Sequence, residues 1–435
     1  TTLFRSIPIC LETLLYMLSG MVDTLMLSSV NDQAVGAVGT ANTYIGIFII
    51  MFSVISSGMV AVMTQNIGAG RPGVAYQARQ LGLAFNAVLG VIMSLFLSLG
   101  AGTILSGVGV ADALMQPART YLQIVGGFCI LNALIPICSS YLRAFGFSKE
   151  PLYASIIGNV INFCLNAFFL FVLHKGVAGV ATATVISRII NLVIVVLLGA
   201  VLVKAKQHPE RESNREVMGQ IIRIGLPSAC ETAIYNVSMT LVIRFLNQMD
   251  AQGLNVTARS YTMQITNFSY CVGAALAQAN AIMTGWRIGA KEYDACDRGT
   301  RKAAIIGVIV AVILETMFAL CSGWIMQLFS KDPQMVSLVG KLLAIDIVLE
   351  MGRVTNLVYG QALKTSGDAV FPVVMGACFM ILCSVGGTYL FGIRLGLLAV
   401  GAYIGMTGDE CVRAVGMYLR WKSGKWKEKG LVKSR

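Results

Sequence analysis

Charged residues are scarce in this chain of 435 residues, since Asp, Glu, Lys and Arg together make up only 12%. An ordinary soluble domain has about one-quarter. The low charge excludes an intrinsically disordered chain, which combines high charge with low hydrophobicity. It also argues against a soluble multi-domain enzyme, whose surface so few charges could not cover. With 56% hydrophobic residues and a mean hydropathy of +0.74, the remaining class is a helical protein that crosses a membrane many times.

Several chemical motifs are also missing from the sequence. No Gly-x-x-x-x-Gly-Lys-Ser/Thr loop occurs, so the chain by itself is not expected to be an ATP-driven pump. The two histidines, His174 and His208, fall in predicted loops, and no two of the 11 cysteines have the close spacing of a metal site. We therefore expect neither a metal nor another cofactor. An ion gradient, carried by transported H⁺ or Na⁺, is the natural energy source, and it requires ionisable groups inside the membrane.

Apolar runs long enough to span a bilayer follow one another along the whole chain. A spanning helix needs roughly 20 apolar residues. The predicted spans are 7–29, 40–65, 80–107, 120–145, 151–173, 178–204, 219–248, 258–286, 302–328, 335–362, 370–392 and 396–419. The predicted fold class is thus an all-α polytopic membrane protein with twelve transmembrane helices.

The net charge of +12 is spread unevenly over the loops. Lys and Arg are concentrated in alternate loops and at the C-terminal end, as in the cytoplasmic loops of membrane proteins. This predicts a plasma membrane protein, in a bacterium an inner-membrane one, with both termini in the cytoplasm. The basic tail is interpreted as a topology signal, with binding to anionic headgroups as the alternative. Because the basic residues alternate with apolar runs, no nucleic-acid partner is expected.

The two halves of the sequence repeat each other. The heptapeptide that begins Ile7-Pro8 and ends Glu12-Thr13 matches the one that begins Leu226-Pro227 and ends Glu231-Thr232, and further matches keep an offset of about 220 residues. With six spans in each half, the repeat is parallel, an architecture typical of secondary transporters with a substrate site between lobes. A channel is less favoured because no filter-like sequence occurs. The predicted parts are an N-lobe at 1–205, a linker at 206–218, a C-lobe at 219–420 and a basic tail at 421–435.

An acidic residue, Asp23, lies deep in the first span, where a carboxylate costs about 3 kcal/mol on insertion scales. Its candidate partners are Asn162 and Asn166, one turn apart on the fifth span, and Thr184 on the sixth. This group could hold a proton or a small hard cation such as sodium. The alternative is a purely structural hydrogen-bond network. Protonation would release the network and let the first helix bend at Pro8.

Ionisable residues also lie inside the second half. Glu231 follows a proline by four residues, as Glu12 does in the first half. The others are Glu315 in the ninth span and Asp346, Glu350 and Arg353 in the tenth. Glu350 and Arg353, spaced i, i+3, are predicted to form an internal ion pair with a structural role, because an unpaired arginine there would be costly.

Methionine and aromatic residues cluster in the second and eighth spans. The cavity candidates are Tyr44, Phe48, Met51, Tyr261, Met263 and Phe268. Such a set suits a soft, adaptable cavity for apolar or cationic ligands. Ordinary helix packing is the alternative interpretation for each of them.

A series of short motifs occurs in a fixed order along the chain. They include Val22-Asp23-Thr24, Asn66-Ile67-Gly68-Ala69-Gly70, Asn162-x-x-x-Asn166, Gly225-Leu226-Pro227, Ile288-Gly289-Ala290, Leu363-Lys364-Thr365-Ser366-Gly367-Asp368 and Asp409-Glu410-x-x-Arg413. With this order and spacing, essentially the whole chain resembles the multidrug and toxic compound extrusion family of secondary transporters. The resemblance implies two six-helix lobes in a V shape. It also implies export of organic cations, driven by inward flow of protons or sodium.

Two branches of that family differ in where the driving cation binds. The spacing of Pro8 and Asp23 resembles the branch whose first helix bends at the proline when the aspartate is protonated. That match places the family's N-lobe cation site on Asp23, Asn162, Asn166 and Thr184. The position of Asn166 is commonly aspartate in that branch, so this site carries one carboxylate fewer.

The second branch uses C-lobe carboxylates on the seventh and tenth spans. The corresponding positions in this sequence are Tyr235, one turn after Glu231, and Arg353. The resemblance therefore does not carry this second site over intact, and proton coupling through Asp23 is favoured over sodium.

The predicted function is that of a monomeric antiporter, not an enzyme, in the lipid bilayer. It would export small organic cations or amphipaths. A flippase for lipid-linked precursors is the alternative, and it should line its cavity with basic residues; the few candidates are Arg244, Lys341 and Arg353. A membrane-embedded enzyme is disfavoured because no metal or nucleophile cluster is found.

Overall fold

The computed structural model of the protein describes residues 2–28, 32–107, 112–204, 208–249, 253–327 and 329–432. Within these ranges the chain is helical and contains no β-strand, which confirms the predicted all-α class. The first half has α1 (Thr2–Ser28), α2 (Asp32–Gly68), α3 (Pro72–Gly107), α4 (Asp112–Tyr121), α5 (Ile130–Ala144), α6 (Lys149–Ala167) and α7 (Gly176–Leu202). The second half has α8 (Asn214–Met249), α9 (Leu254–Gly289), α10 (Tyr293–Leu320), α11 (Ser322–Met326), α12 (Pro333–Ser366), α13 (Val370–Phe379) and α14 (Leu398–Lys422).

These helices correspond to the twelve predicted spans when α4 and α5 count as one and the short α11 is set aside. The α4–α5 pair bends by 43°. Within the described ranges, seven helices are long and apolar enough to cross a membrane, or eight if the bent pair is one span. The spans that fall short of this limit are α8, α9, α12 and α14, so the less apolar helices all belong to the second half.

The ninth span differs from its predicted position. The sequence predicts it at 302–328, whereas α10 begins at Tyr293 and ends at Leu320. The helices α2, α3 and α4 likewise begin eight residues before their predicted spans. Arginine and lysine are good helix formers, so the charged stretch around Arg298 continues the helix beyond its apolar part. An apolar pattern marks the part of a helix that lies in lipid, and it does not mark where the helix begins.

Packing divides the chain into two compact units. The N-unit is Leu11–Leu226, and the C-unit is Thr1–Cys10 together with Pro227–Arg435. Two helices are divided between the units near a proline, α1 after Cys10 and α8 before Pro227. The bounds of the two units therefore differ from those of the predicted lobes at these two helices. The predicted bounds follow the polar linker in the sequence, whereas the units follow the packing of the helices.

Each unit has its own apolar core. In the N-unit, Phe52 of α2, Leu97 of α3 and Val185 of α7 belong to one buried cluster. In the C-unit, Leu342 of α12 and Tyr403 of α14 belong to another. Large apolar side chains are also exposed on the outside of the helices, as expected where a bilayer replaces water as the solvent.

The described part of the basic tail packs onto the C-unit. A 3₁₀ turn at Lys425–Glu428 follows α14 and buries Trp426, whose side chain is 1% exposed. Its ring stacks on Trp421 with 4.1 Å between ring centroids, and its indole N–H donates to the Trp421 carbonyl at 2.9 Å. The Trp421 indole in turn donates to Asp297 of α10 at 2.8 Å. Residues 206–207 of the predicted linker and 433–435 of the tail lie outside the described ranges.

Candidate functional site

Asp23 of α1 lies beside Asn166 of α6 in the N-unit. The Asn166 side-chain amide donates to the Asp23 carboxylate at 2.6 Å and to the Asn162 side-chain oxygen, one turn away, at 3.2 Å. Asn162 and Asn166 are buried, and among the described residues the Asn166 side-chain oxygen has no hydrogen-bond partner. The structure therefore brings together three of the four residues predicted for this site. It also leaves a buried acceptor beside the carboxylate.

The fourth predicted residue, Thr184 of α7, is buried but directed differently. Its hydroxyl donates to the backbone carbonyl of Val180, one turn earlier in the same helix, at 2.9 Å. Threonine commonly forms this bond inside helices. Within the described part of the chain, no hydrogen bond joins Thr184 to Asp23.

Arg188 of α7 is a residue of this site that the sequence reasoning missed. Its charge acts on Asp23 and on Tyr121, which is 4% exposed at the end of α4. It lies one turn after Thr184, on the same helix face. The available signal was a charged residue inside the apolar run of the sixth span, the same signal that identified Asp23 in the first.

Pro8 is buried inside α1, which continues through it from Thr2 to Ser28. Proline has no backbone N–H, so one hydrogen bond of the helix is missing at this point. The helix that carries Asp23 therefore has its weakest point near its start.

Glu231, one of the ionisable residues predicted inside the second half, forms an ion pair between two helices of the C-unit. Its carboxylate lies 2.6 Å from the ammonium group of Lys364 on α12. In the N-unit, Glu12 lies 2.5 Å from the guanidinium group of Arg143 on α5. Each carboxylate follows a proline by four residues, so the two pairs are counterparts in the sequence repeat.

The candidates Glu350 and Arg353 belong to a larger charged network. The ion pair expected between them is present on α12, and Arg353 also lies 3.4 Å from Glu410 of α14. Glu410 accepts a hydrogen bond from Asn356 at 3.0 Å and forms an ion pair with Arg413, also at 3.0 Å. The positive charge of Arg353 is therefore neutralised by Glu350 on its own helix and by Glu410 on α14.

Tyr235 and Glu315, the other candidate site residues of the second half, lie near this network. Tyr235 of α8 is partly buried and interacts electrostatically with Arg353 and with Tyr270 of α9. Glu315 of α10 is fully buried, and its charge interacts with those of Asp346 and Glu350. In the described part of the chain, no three His, Cys, Asp or Glu side chains form a group that could hold a metal ion.

The predicted cavity residues have two kinds of surroundings. Tyr44 and Phe48 of α2 pack on the core of the N-unit, and Phe48 contacts Phe96 edge to face with 6.0 Å between centroids. Tyr261 of α9 packs on the core of the C-unit beside Phe329, with 5.4 Å between centroids. The other three are exposed by about two-fifths, namely Met51, Met263 and Phe268. The structure thus leaves these three exposed and places the first three in helix packing.

The fold and the site together define a class of protein. A helical chain that repeats itself, exposes apolar side chains outward and keeps ionisable residues inside its helices is a multipass membrane transporter.

The chain belongs to the multidrug and toxic compound extrusion family, because the MatE family profile matches residues 8–168 and again 227–390. The two matches begin at Pro8 and Pro227, which bears out the internal repeat.

Individual relatives agree with this assignment. The chain is 34% identical over 431 residues to the uncharacterized transporter YisQ of Bacillus subtilis, covering 98% of this chain and 94% of that one. It is 23% identical over 447 residues to the probable multidrug resistance protein NorM of Thermotoga maritima, covering 98% and 93%. A crystal structure of a MATE protein in the straight conformation superposes with a TM-score of 0.88 at 19% identity, covering 98% and 96%.

Proposed function

We propose that the protein is a secondary active antiporter that exports amphipathic or cationic organic compounds in exchange for protons, with Asp23 as the coupling group. The contact that supports this proposal best is the 2.6 Å hydrogen bond from the Asn166 amide to the Asp23 carboxylate. An ionisable group inside a membrane is expensive and is usually functional. The multidrug resistance names of several relatives support the substrate class.

The chemistry of the site favours a proton over sodium. Sodium is held by oxygen ligands, and additional carboxylates strengthen the binding of hard cations. Asp23 contributes one carboxylate, and Asn166 presents an N–H group to it instead of an oxygen. A proton needs only one carboxylate oxygen, so the set of groups at Asp23 suffices for it.

The proposed coupling step is local. An ionised Asp23 holds Asn166, and thereby α6, through a charge-assisted hydrogen bond. Protonation removes the charge and weakens this bond, so α1 is released from α6. Because α1 already lacks a backbone hydrogen bond at Pro8, it can bend there at little further cost.

We also propose an orientation in the membrane and a monomeric state. Both termini would face the cytoplasm, since Lys and Arg crowd the loops on that side. The protein would act as a monomer, with an N-lobe at 1–205 and a C-lobe at 219–420. The flippase alternative is less favoured because Arg353, one of its few candidate phosphate ligands, is already paired with Glu350 and Glu410.

The test is efflux of a cationic dye from proteoliposomes in which pH and sodium gradients are imposed separately. We expect efflux with the pH gradient alone, and at least a tenfold loss, about 1.4 kcal/mol, in Asp23→Asn. Asp294→Asn, an exposed acidic position at the start of α10, is the matched control and should transport normally. Efflux driven only by sodium would refute proton coupling, and undiminished efflux by Asp23→Asn would refute the assigned site.

A further inference from the structure

Positive charge is concentrated at one end of the C-unit, where α9 is followed by α10 and where α14 is followed by the tail. Residues 287–302 and 420–432 contain ten Lys and Arg against four Asp and Glu. Asp368, which follows α12, offsets Arg420 and Lys429, whose nitrogens lie 2.7 Å and 3.8 Å from its carboxylate. The excess of positive charge persists when Asp368 is included in the count.

Six of these cations are exposed, and we call them the basic patch. Three belong to α10, one to the last turn of α14 and two to the 3₁₀ turn of the tail. They are Arg298, Arg301, Lys302, Lys422, Lys425 and Lys427. None of the six forms an ion pair with another residue in the described part of the chain. Their charges are therefore available to an external anion.

The folded tail brings the members from α10 and α14 close to one another. The hydrogen bond from the Trp421 indole to Asp297 places the end of α14 beside Arg298. The charge of Lys427 in the tail acts on Cys296, one residue before Asp297 in α10. Because the stacked tryptophan rings hold the 3₁₀ turn, its lysines are positioned before any ligand binds, and this lowers the entropic cost of binding.

The basic patch lies where the exposed apolar faces of its helices end. On α10, Ile305 and Ile309 are 53% and 52% exposed, and Arg301 precedes Ile305 by four residues on the same face. On α14, Leu419 is 56% exposed, and Lys422 follows it by three residues. An exposed apolar face of a membrane helix contacts lipid chains, so cations that directly continue it stand at the level of the lipid headgroups.

The first half of the repeat lacks the α10 part of the patch. Aligning the two Ile-Gly-Ala motifs places Gln77, Gln80 and Leu81 of α3 at the positions of the three α10 cations. Gln77 is engaged within the N-unit, since it donates to the backbone carbonyl of Glu212 at 2.7 Å and accepts from its N–H at 3.0 Å. A signal that only sets topology requires neither this asymmetry between the halves nor a fixed arrangement of charges.

We propose that the basic patch binds the phosphate groups of anionic phospholipids and so ties the tail and the start of α10 to the membrane surface. Clusters of about four to eight Lys and Arg beside a transmembrane helix are typical of sites for acidic lipids. The guanidinium groups of Arg298 and Arg301 can each bind two phosphate oxygens through parallel hydrogen bonds, and the lysines add point charges. This inference depends neither on the transported substrate nor on the coupling role of Asp23.

Native mass spectrometry of the detergent-purified protein tests this site by counting bound lipids. The protein is titrated with phosphatidylglycerol and with phosphatidylcholine of the same chains. We expect phosphatidylglycerol to bind at least about tenfold more tightly, because each Lys or Arg adds several-fold to the attraction of an acidic lipid. This preference should fall as the ammonium acetate concentration is raised, since salt screens exposed charges.

Two triple variants locate the binding. Arg298→Gln with Lys302→Gln and Lys422→Gln should lose at least about tenfold in affinity for phosphatidylglycerol. The matched control removes the same charge from three exposed positions of the N-unit and should bind as the unaltered protein does. It combines Lys149→Gln, Lys204→Gln and Arg215→Gln. All six positions are exposed, and thermal unfolding verifies that both variants are folded.

A third variant, Trp426→Ala, keeps all six charges but releases the 3₁₀ turn that positions two of them. It should bind phosphatidylglycerol more weakly than the unaltered protein does. Unchanged binding would show that the folded tail does not build the site.

Three further outcomes would overturn the proposal. Equal binding of the two lipids would mean that the headgroup charge is not recognised. An equal loss in both triple variants would show an effect of net charge and not of the basic patch. Full competition by glycerol 3-phosphate at the same concentration as the lipid would make the ligand a soluble phosphate compound instead of a membrane lipid.

Discussion

Glu231 of α8 and Lys364 of α12 form an ion pair at the position in the second half that Glu12 and Arg143 occupy in the first. The two pairs are similarly enclosed, with side chains between 12% and 16% exposed. Because both halves keep a pair at this position, although one uses lysine and the other arginine, we interpret the pairs as structural links between helices within each unit. This separates Glu231 from the candidates for ion coupling.

Removing one partner of such a pair should therefore lower stability without changing coupling. Lys364→Ala removes the ion-pair partner of the largely buried Glu231 carboxylate, and we expect it to cost about 1–3 kcal/mol of the free energy of unfolding. The exchanged double variant Glu231→Lys with Lys364→Glu should recover part of that loss. Thermal unfolding in detergent measures both. Lost proton coupling with unchanged stability would instead make Glu231 a transport residue.

The N-unit site should acquire sodium binding when its missing carboxylate is supplied. Asn166→Asp places a second carboxylate beside Asp23, and sodium would relieve the repulsion between them. We expect saturating sodium, compared with choline at equal ionic strength, to stabilise this variant by about 1–3 kcal/mol and the unaltered protein by much less. Thermal unfolding in the two salts measures the difference.

Asn159→Asp is the matched control for that experiment. Asn159 lies on the same helix and donates to the backbone carbonyl of Leu15 at 3.3 Å. This variant adds the same charge two helical turns before Asn166, away from Asp23, so it should not respond to sodium. An equal response of both variants would show that the effect is not specific to Asp23.

The C-unit should be sensitive to a single methyl group on one face of α14. A Cβ atom at Gly405 would lie 2.8 Å from the backbone oxygen of Cys383, in the π-helical segment Met380–Val385, and 2.9 Å from Gly387. Backbone atoms cannot yield as flexible side chains do, so Gly405→Ala should destabilise the protein by about 1–3 kcal/mol. Small residues allow such close helix contacts in membranes.

Gly408 provides the comparison on the same helix. A Cβ there would meet no atom within 4 Å. Since alanine favours a helix over glycine by about 0.5–1 kcal/mol, Gly408→Ala should be neutral or slightly stabilising. Thermal unfolding of the two variants tests the assignment, and similar behaviour of both would contradict the close contact.

The folded tail should open when its central aromatic residue is removed. Trp426 is 1% exposed and stacks on Trp421, and truncating a buried tryptophan costs about 3–5 kcal/mol. Because the loss concerns a terminal segment, it should appear as local opening. We expect Trp426→Ala to speed tryptic cleavage after the exposed Lys425 and Lys427 by at least about tenfold.

Trp324→Ala serves as the control for the tail, because Trp324 is 71% exposed and lies elsewhere in the C-unit. It should leave the cleavage rate unchanged. Equal rates for the unaltered protein and Trp426→Ala would mean that the tail is not held by this stacking.

The sequence was most informative where one physical requirement dominates. Spans follow from the need to match the apolar interior of a bilayer, and all twelve have counterparts among the helices. Several helices, the ninth span among them, begin earlier than the sequence predicts. Asp23 and its asparagines could be identified because a carboxylate within an apolar run requires partners. Arg188 gave the same signal, but nothing in the sequence alone indicated that it would lie close to Asp23.

What the sequence by itself determined was the class of protein, its helices and its repeat, since hydropathy and spacing act along the chain. Only the tertiary structure decided which polar side chains share an environment. It directed the Thr184 hydroxyl to its own helix, paired Glu231 with Lys364, and left Glu315 without a hydrogen-bond partner within the described residues. The reason is that these outcomes depend on how helices rotate and pack against one another, and many different side chains contribute to each such orientation.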